Sequence, residues 1–137
     1  MPLAKDRNTA EALGDVFEFG QAAATTLYAG ALAMLNASGF VTPGAVATGQ
    51  ICAGRVQERS VNAGAAGAVR AKVKRGNFWW KNSAAADLIA ITEIGDDCFI
   101  LDDETVAKTN GSNTRSVAGK VLAVDANLGV LVRTGLF

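Results

Sequence analysis

A mainly β fold, a small barrel or sandwich built of hairpins, is what this sequence predicts, and three observations predict it. Fifteen glycines against two prolines cut the 137 residues into short pieces. The apolar residues come in brief runs bounded by Gly, Asn, Asp and Thr, the punctuation of strands and turns. The stretch "GAVRAKVKRGNFWW", Gly67 to Trp80, alternates cleanly, with Val69, Ala71 and Val73 on one face and Arg70, Lys72 and Lys74 on the other.

The elements follow in order. Residues 1–14 are polar, charged and without alternation, and read as an N-terminal arm; residues 15–137 read as a single β-rich domain. Helix is confined to one or two short pieces. Asn8–Leu13 opens with a weak capping box, Asn8 followed by Glu11. Ala22–Leu35 is rich in the helix formers Ala, Leu and Met, although Thr25, Thr26 and Gly30 oppose a long helix there. Asp15–Gly20 is the first strand. Gly30–Gly44 is a hairpin with arms Ala31–Leu35 and Phe40–Thr42, turning at Asn36-Ala37-Ser38-Gly39, where Gly39 supplies a positive φ. Gly49–Val61 is extended. "CFILDD" and "ETVAKT" flank an acidic turn at Asp102-Asp103-Glu104, and Thr109–Ser116 is a polar loop. The chain closes on a hairpin, Lys120–Val124 and Gly129–Arg133, joined through Asp125-Ala126-Asn127-Leu128.

Composition narrows the function. Thirteen basic and thirteen acidic residues balance, so no global field pulls the chain toward nucleic acid or an anionic membrane. Histidine is absent, which removes Ser-His-Asp, Cys-His and HExxH chemistry together with the commonest zinc ligand. Cys52 and Cys98 sit apart in apolar stretches, without a CxxC, and are expected to be buried and reduced. Neither phosphate-binding glycine motif is present. Ala22–Leu35, the most apolar run, falls short of the about 20 residues of a membrane span, and the N-terminus has no signal-like core. The chain reads as soluble and made in a reducing compartment.

One stretch asks for chemistry. "EIGDDCFILDDE", Glu93 to Glu104, places Asp96-Asp97 and Asp102-Asp103-Glu104 either side of Cys98–Leu101. The spacing does not fit a calcium loop, and no aromatic platform stands beside the carboxylates to make a sugar cleft. The acids read as charged turn ends that bracket one strand, and no enzyme, small-molecule substrate, cofactor or metal is expected.

The layout resembles the small head-decoration, or cement, proteins of tailed-phage capsids. The resemblance covers residues 15–137. It rests on the early strand, the hairpin ending in "GFVTPG", the strand Ala68–Phe78, and the turn Asp102-Asp103-Glu104-Thr105-Val106. The step Ser116-Val117-Ala118-Gly119-Lys120-Val121 and the closing Val124-Asp125 to Val132 hairpin complete it. It implies a non-enzymatic β protein on the outer surface of the virion capsid, made in the host cytoplasm. Its partners would be the major capsid protein and itself, as a homotrimer or homodimer, and it would clamp neighbouring subunits of the shell.

Two sets of residues are candidates for those contacts. The arm residues Pro2, Leu3, Lys5 and Arg7 would gain order on a neighbouring subunit. Arg70, Lys72 and Lys74 form a charged strand face, and Trp79 and Trp80 follow it. Adjacent residues of a strand point to opposite faces, so one tryptophan should be internal and the other available to a partner. The alternative reading uses Arg70, Lys72, Lys74 and Trp80 as a single-stranded nucleic-acid platform of cations and stacking rings.

Overall fold

In the computed structural model, residues 2, 4–12 and 14–137 are described. The alternating stretches become twelve strands among these residues. They are β1 (Val16–Gly20), β2 (Thr25–Leu27), β3 (Leu32–Leu35), β4 (Val41–Pro43), β5 (Ile51–Val56), β6 (Ser60–Asn62), β7 (Arg70–Lys74), β8 (Gly76–Asn82), β9 (Asp97–Ile100), β10 (Thr105–Ala107), β11 (Val117–Asp125) and β12 (Gly129–Thr134). The mainly β expectation holds, with both a curled sheet and a closed barrel.

The first sheet runs β1-β7-β5-β3-β4, all antiparallel. It curls until its ends approach, and a single parallel bridge between Gln21 and Val41 joins them. The β3–β4 hairpin turns where the sequence places it. The Asn36 carboxamide oxygen accepts from the amides of Ser38 at 3.0 Å and Phe40 at 3.1 Å, and Gly39 sits at φ 83°. Inside this sheet Leu27, Ala31, Ala33, Val41, Ala53, Val56, Ala71 and Val73 form one core, with Phe17, Phe19 and Leu35 packed against it.

The second unit is a closed barrel, β10-β8-β12-β11-β9, in which the β10–β8 pair is parallel and the others antiparallel. Its core holds Trp80, Cys98, Ile100, Val106, Ala118, Val121, Val130 and Val132. Leu32 and Met34 of β3 and Cys52 of β5 belong to this second core, while Ala33, Ala53 and Val56 of the same strands belong to the first. Strands β3 and β5 are therefore buried on both faces. That is why "ALAML" reads as a continuous apolar run rather than an alternating one.

The two helical candidates are corrected. Residues 8–12 carry no helix, and Leu13 lies outside the described residues. Ala22–Leu35 holds β2 and β3 instead. Tertiary contacts override its helical propensity: β2 pairs with β6, and the buried Gln21 and Asn62 tie it down. The Asn62 carboxamide donates to the carbonyls of Gln21, Ala22 and Ala65 at 3.0, 3.2 and 2.9 Å.

Two 3-10 turns, Ala85–Asp87 and Ile91–Glu93, lie instead in the crossover from β8 to β9. Between them Ile89 is buried in the barrel core. The Asn82 side chain holds it by its backbone, donating to the Ile89 carbonyl at 2.8 Å and accepting from its amide at 2.9 Å. Among the described residues no helix is long and apolar enough to cross a membrane.

Candidate interaction surface

The tandem tryptophans separate as strand parity requires. Trp80 is 4% exposed and lies against Phe78, ring centroids 6.3 Å apart and edge to face. Its indole N–H donates to the Thr134 hydroxyl at 2.9 Å, and that hydroxyl donates on to the Val132 carbonyl at 3.0 Å. The cross-strand partners decide the phase. Trp80 stands opposite Val130 and Phe78 opposite Val132, all facing the barrel interior, whereas Trp79 stands opposite Leu131 on the outside. Trp79 is 39% exposed. Trp80 therefore leaves the set of contact residues, because its ring is enclosed and its one polar atom is satisfied.

The basic strand lies on the other unit. Arg70 and Lys72 are exposed and Lys74 is half-buried. Across β1 they face Gly20, Glu18 and Val16, and across β5 Lys74 faces Arg55. The Arg70 guanidinium donates to the Glu18 carbonyl at 3.0 Å, covering an open backbone group of edge strand β1. Phe78 and Trp80 point into the barrel, so Trp80 is withdrawn from the nucleic-acid platform, and Trp79, the exposed ring, lies on a different sheet from the cations.

Arg75 is engaged elsewhere. It pairs with Asp15 at 3.3 Å, donates to the Leu136 carbonyl at 3.2 Å, and lies between the rings of Phe17 and Phe137 at 5.6 and 5.1 Å. Arg133 stacks on Phe137 at 4.1 Å. Phe137 remains 59% exposed and is held at the surface by guanidinium stacking rather than by enclosure.

In the arm, Pro2, Lys5 and Arg7 are exposed, as are residues 4–12 throughout, and a local hydrogen bond joins the Thr9 amide to the Arg7 carbonyl at 3.0 Å. Leu3, the fourth arm candidate, lies outside the described residues.

The acidic stretch does bracket a strand. One Asp102 carboxylate oxygen accepts from the amides of Glu104 at 2.9 Å and Thr105 at 2.7 Å, which folds the turn into β10. Asp97 pairs with Lys120 at 2.8 Å and Glu104 with Lys81 at 2.9 Å. The hydrogen bonds that the lysines donate to these carboxylates push both above their ordinary range. Among the described residues no cluster of three or more His, Cys, Asp or Glu side chains is gathered as for a metal ion. Cys52 and Cys98 are free and buried, as expected. Burial pushes the Cys52 thiol up to about 11 and the Cys98 thiol up to about 12.

A further surface was not among the sequence candidates. A cleft of about 650 Å³ lies between the β8–β9 crossover and the tip of the β11–β12 hairpin, lined by Leu88, Ile89, Ala90, Ile91, Val124 and Leu128 among others. Leu88, Leu128 and especially Ile91, at 72%, are exposed. The available signal was the apolar content of "ADLIAITEIG", too rich for a solvated loop. No protein-family model, curated protein or solved structure matches the chain.

Proposed function

We propose that the chain is a non-enzymatic decoration protein that binds the outer surface of an assembled phage head and bridges neighbouring major-capsid subunits. The observation that carries this reading is the arm. Its described residues are exposed and lead directly into β1, an edge strand of a body that is otherwise folded on two cores. On this reading the arm gains its contacts from a neighbouring capsid subunit. Binding only the closed lattice stabilises that lattice by mass action, and several copies acting together add avidity.

The test is cosedimentation with expanded empty heads. The full chain should pellet with heads and raise their disruption temperature, and a variant lacking residues 1–14 should bind at least about tenfold more weakly. A full chain that stays in the supernatant at micromolar concentration rejects the proposal.

A second reading, a single-stranded nucleic-acid module, is favoured by one observation, the row Arg70, Lys72, Lys74 along β7. The inward rings of Phe78 and Trp80 weigh against it. Retardation of an oligonucleotide at low salt, lost in Lys72→Ala, would support that reading over decoration.

A further inference from the structure

The chain is neutral as a whole but not in its halves. Residues 14–75, which carry β1 to β7, hold six basic and three acidic residues; residues 76–137, which carry the barrel, hold five and eight. Pairing differs between the halves as well. Among the described residues the ion pairs hold Lys81, Lys108, Arg115 and Lys120 of the barrel half, but only Arg75 of the other. Arg55, Arg70, Lys72 and Lys74 form none of these pairs, and all four belong to β5 and β7. Lys74 stands directly opposite Arg55, a juxtaposition of like charges that costs a sheet stability. Glu18 stands opposite Lys72 without pairing to it.

We infer that this face of β5 and β7 docks on an acidic protein surface, whose carboxylates meet Arg55, Lys72 and Lys74. A local rule broken with no compensation inside the fold is expected where the fold serves a partner. Both arginines are held by neutral acceptors, so they are oriented without being neutralised. Arg55 donates to the Gln57 carboxamide oxygen at 2.6 Å and lies 4.5 Å from the Phe78 ring, and Arg70 donates to the Glu18 carbonyl at 3.0 Å. Alternate residues of β7 recur about every 7 Å, within the about 8 Å over which physiological salt screens a charge, so the cations act as one patch. The excess acid of the barrel half turns that half away from the same partner, so the chain approaches β7 first. Carboxylates suit the face better than a nucleic-acid strand, which wants stacking rings beside the cations. Here Arg55 covers Phe78, Trp80 is enclosed and Trp79 stands on the barrel.

The inference rests on the decoration reading only for the identity of the acidic partner, the shell surface beneath the chain. The probe is a labelled poly-glutamate of about 20 residues, followed by fluorescence anisotropy at low and at physiological salt. The full chain should bind it in a salt-sensitive way. Lys74→Glu should weaken that binding at least about tenfold and at the same time raise the urea midpoint, because Arg55 then faces an opposite charge. Lys81→Ala, which removes one cation from the barrel, should leave binding unchanged. The inference is overturned if poly-glutamate is not bound at low salt, is bound as tightly by Lys74→Glu, or is bound less tightly than an oligo(dT) of the same length. A midpoint lowered by Lys74→Glu overturns it too. A chain that binds poly-glutamate but stays in the supernatant with heads loses the decoration reading alone. A Lys74→Glu variant that pellets with heads as well as the wild type does loses this inference alone.

Discussion

Truncating the two tryptophans to alanine should give very different costs. Trp80 is almost wholly enclosed among Phe78, Val130 and Val132, and its removal leaves a cavity in a closed barrel with little freedom to collapse. Large-to-small changes of this kind cost about 3–5 kcal/mol. Within that, the Thr134 hydroxyl loses its indole donor, worth about 1 kcal/mol, though it keeps its own bond to the Val132 carbonyl. Trp79 already has two fifths of its surface in water and leans on Leu131. Its loss should cost about 1–2 kcal/mol, from partial apolar burial and one cross-strand pair. A urea dependence of about 2 kcal/mol per molar turns these figures into midpoint shifts of about 2 M for Trp80→Ala and under about 1 M for Trp79→Ala. The measurement is urea unfolding followed by far-ultraviolet circular dichroism, at a protein concentration low enough that association does not contribute. Equal shifts, or a larger one for Trp79→Ala, would refute the parity assigned to β8.

Alkali should destabilise the fold through its thiols. Both are raised, Cys52 to about 11 and Cys98 to about 12 from 9.0, so the protection is intact below pH 9. It is lost above that as the unfolded chain ionises first, at up to about 1.4 kcal/mol per pH unit for each thiol. Urea midpoints that stay flat between pH 9 and 11 would count against this. Neither thiol should react with an aromatic disulfide reagent at pH 8 until the chain is unfolded. Gly54→Ala should cost about 1–3 kcal/mol by thermal unfolding, since Gly54 sits at φ 138° and an added Cβ would lie 2.5 Å from the Lys74 carbonyl oxygen. The Asp87 carboxyl, held below its usual range first by the Thr109 hydroxyl and then by Arg115, should titrate below 3.8. Protection of the 109–115 loop in hydrogen exchange should hold above that range and fall as acid protonates Asp87, and Asp87→Asn should lose it at neutral pH.

What could be read from the sequence was local. The turns at Asn36–Gly39 and Asp125–Leu128 follow from side chains that bond backbone amides two to four residues on, so the hairpins they close were legible. The alternation of Val69, Ala71 and Val73 against Arg70, Lys72 and Lys74 set the faces of β7 correctly. The pairing of β1 with β7, about 50 residues apart, has no local signature, and the closure of the barrel has none either. The tryptophans show the boundary most clearly. Parity said that one of them faces inward, but only the register against Val130 and Val132 says which. The cleft escaped because its walls come from a loop and a hairpin tip that meet only once the barrel is closed.

The double-sided burial of β3 and β5 has a mechanical meaning. These strands are a party wall: Leu32, Met34 and Cys52 finish one room, Ala33, Ala53 and Val56 the other. Neither half can melt without stripping the wall that the other leans on, so the chain should unfold in one step and offer no half-folded species to proteases. A fragment ending before β8 would present a bare, water-averse partition and aggregate. Under an applied force, that coupling means strain entering at one end is borne by both cores at once.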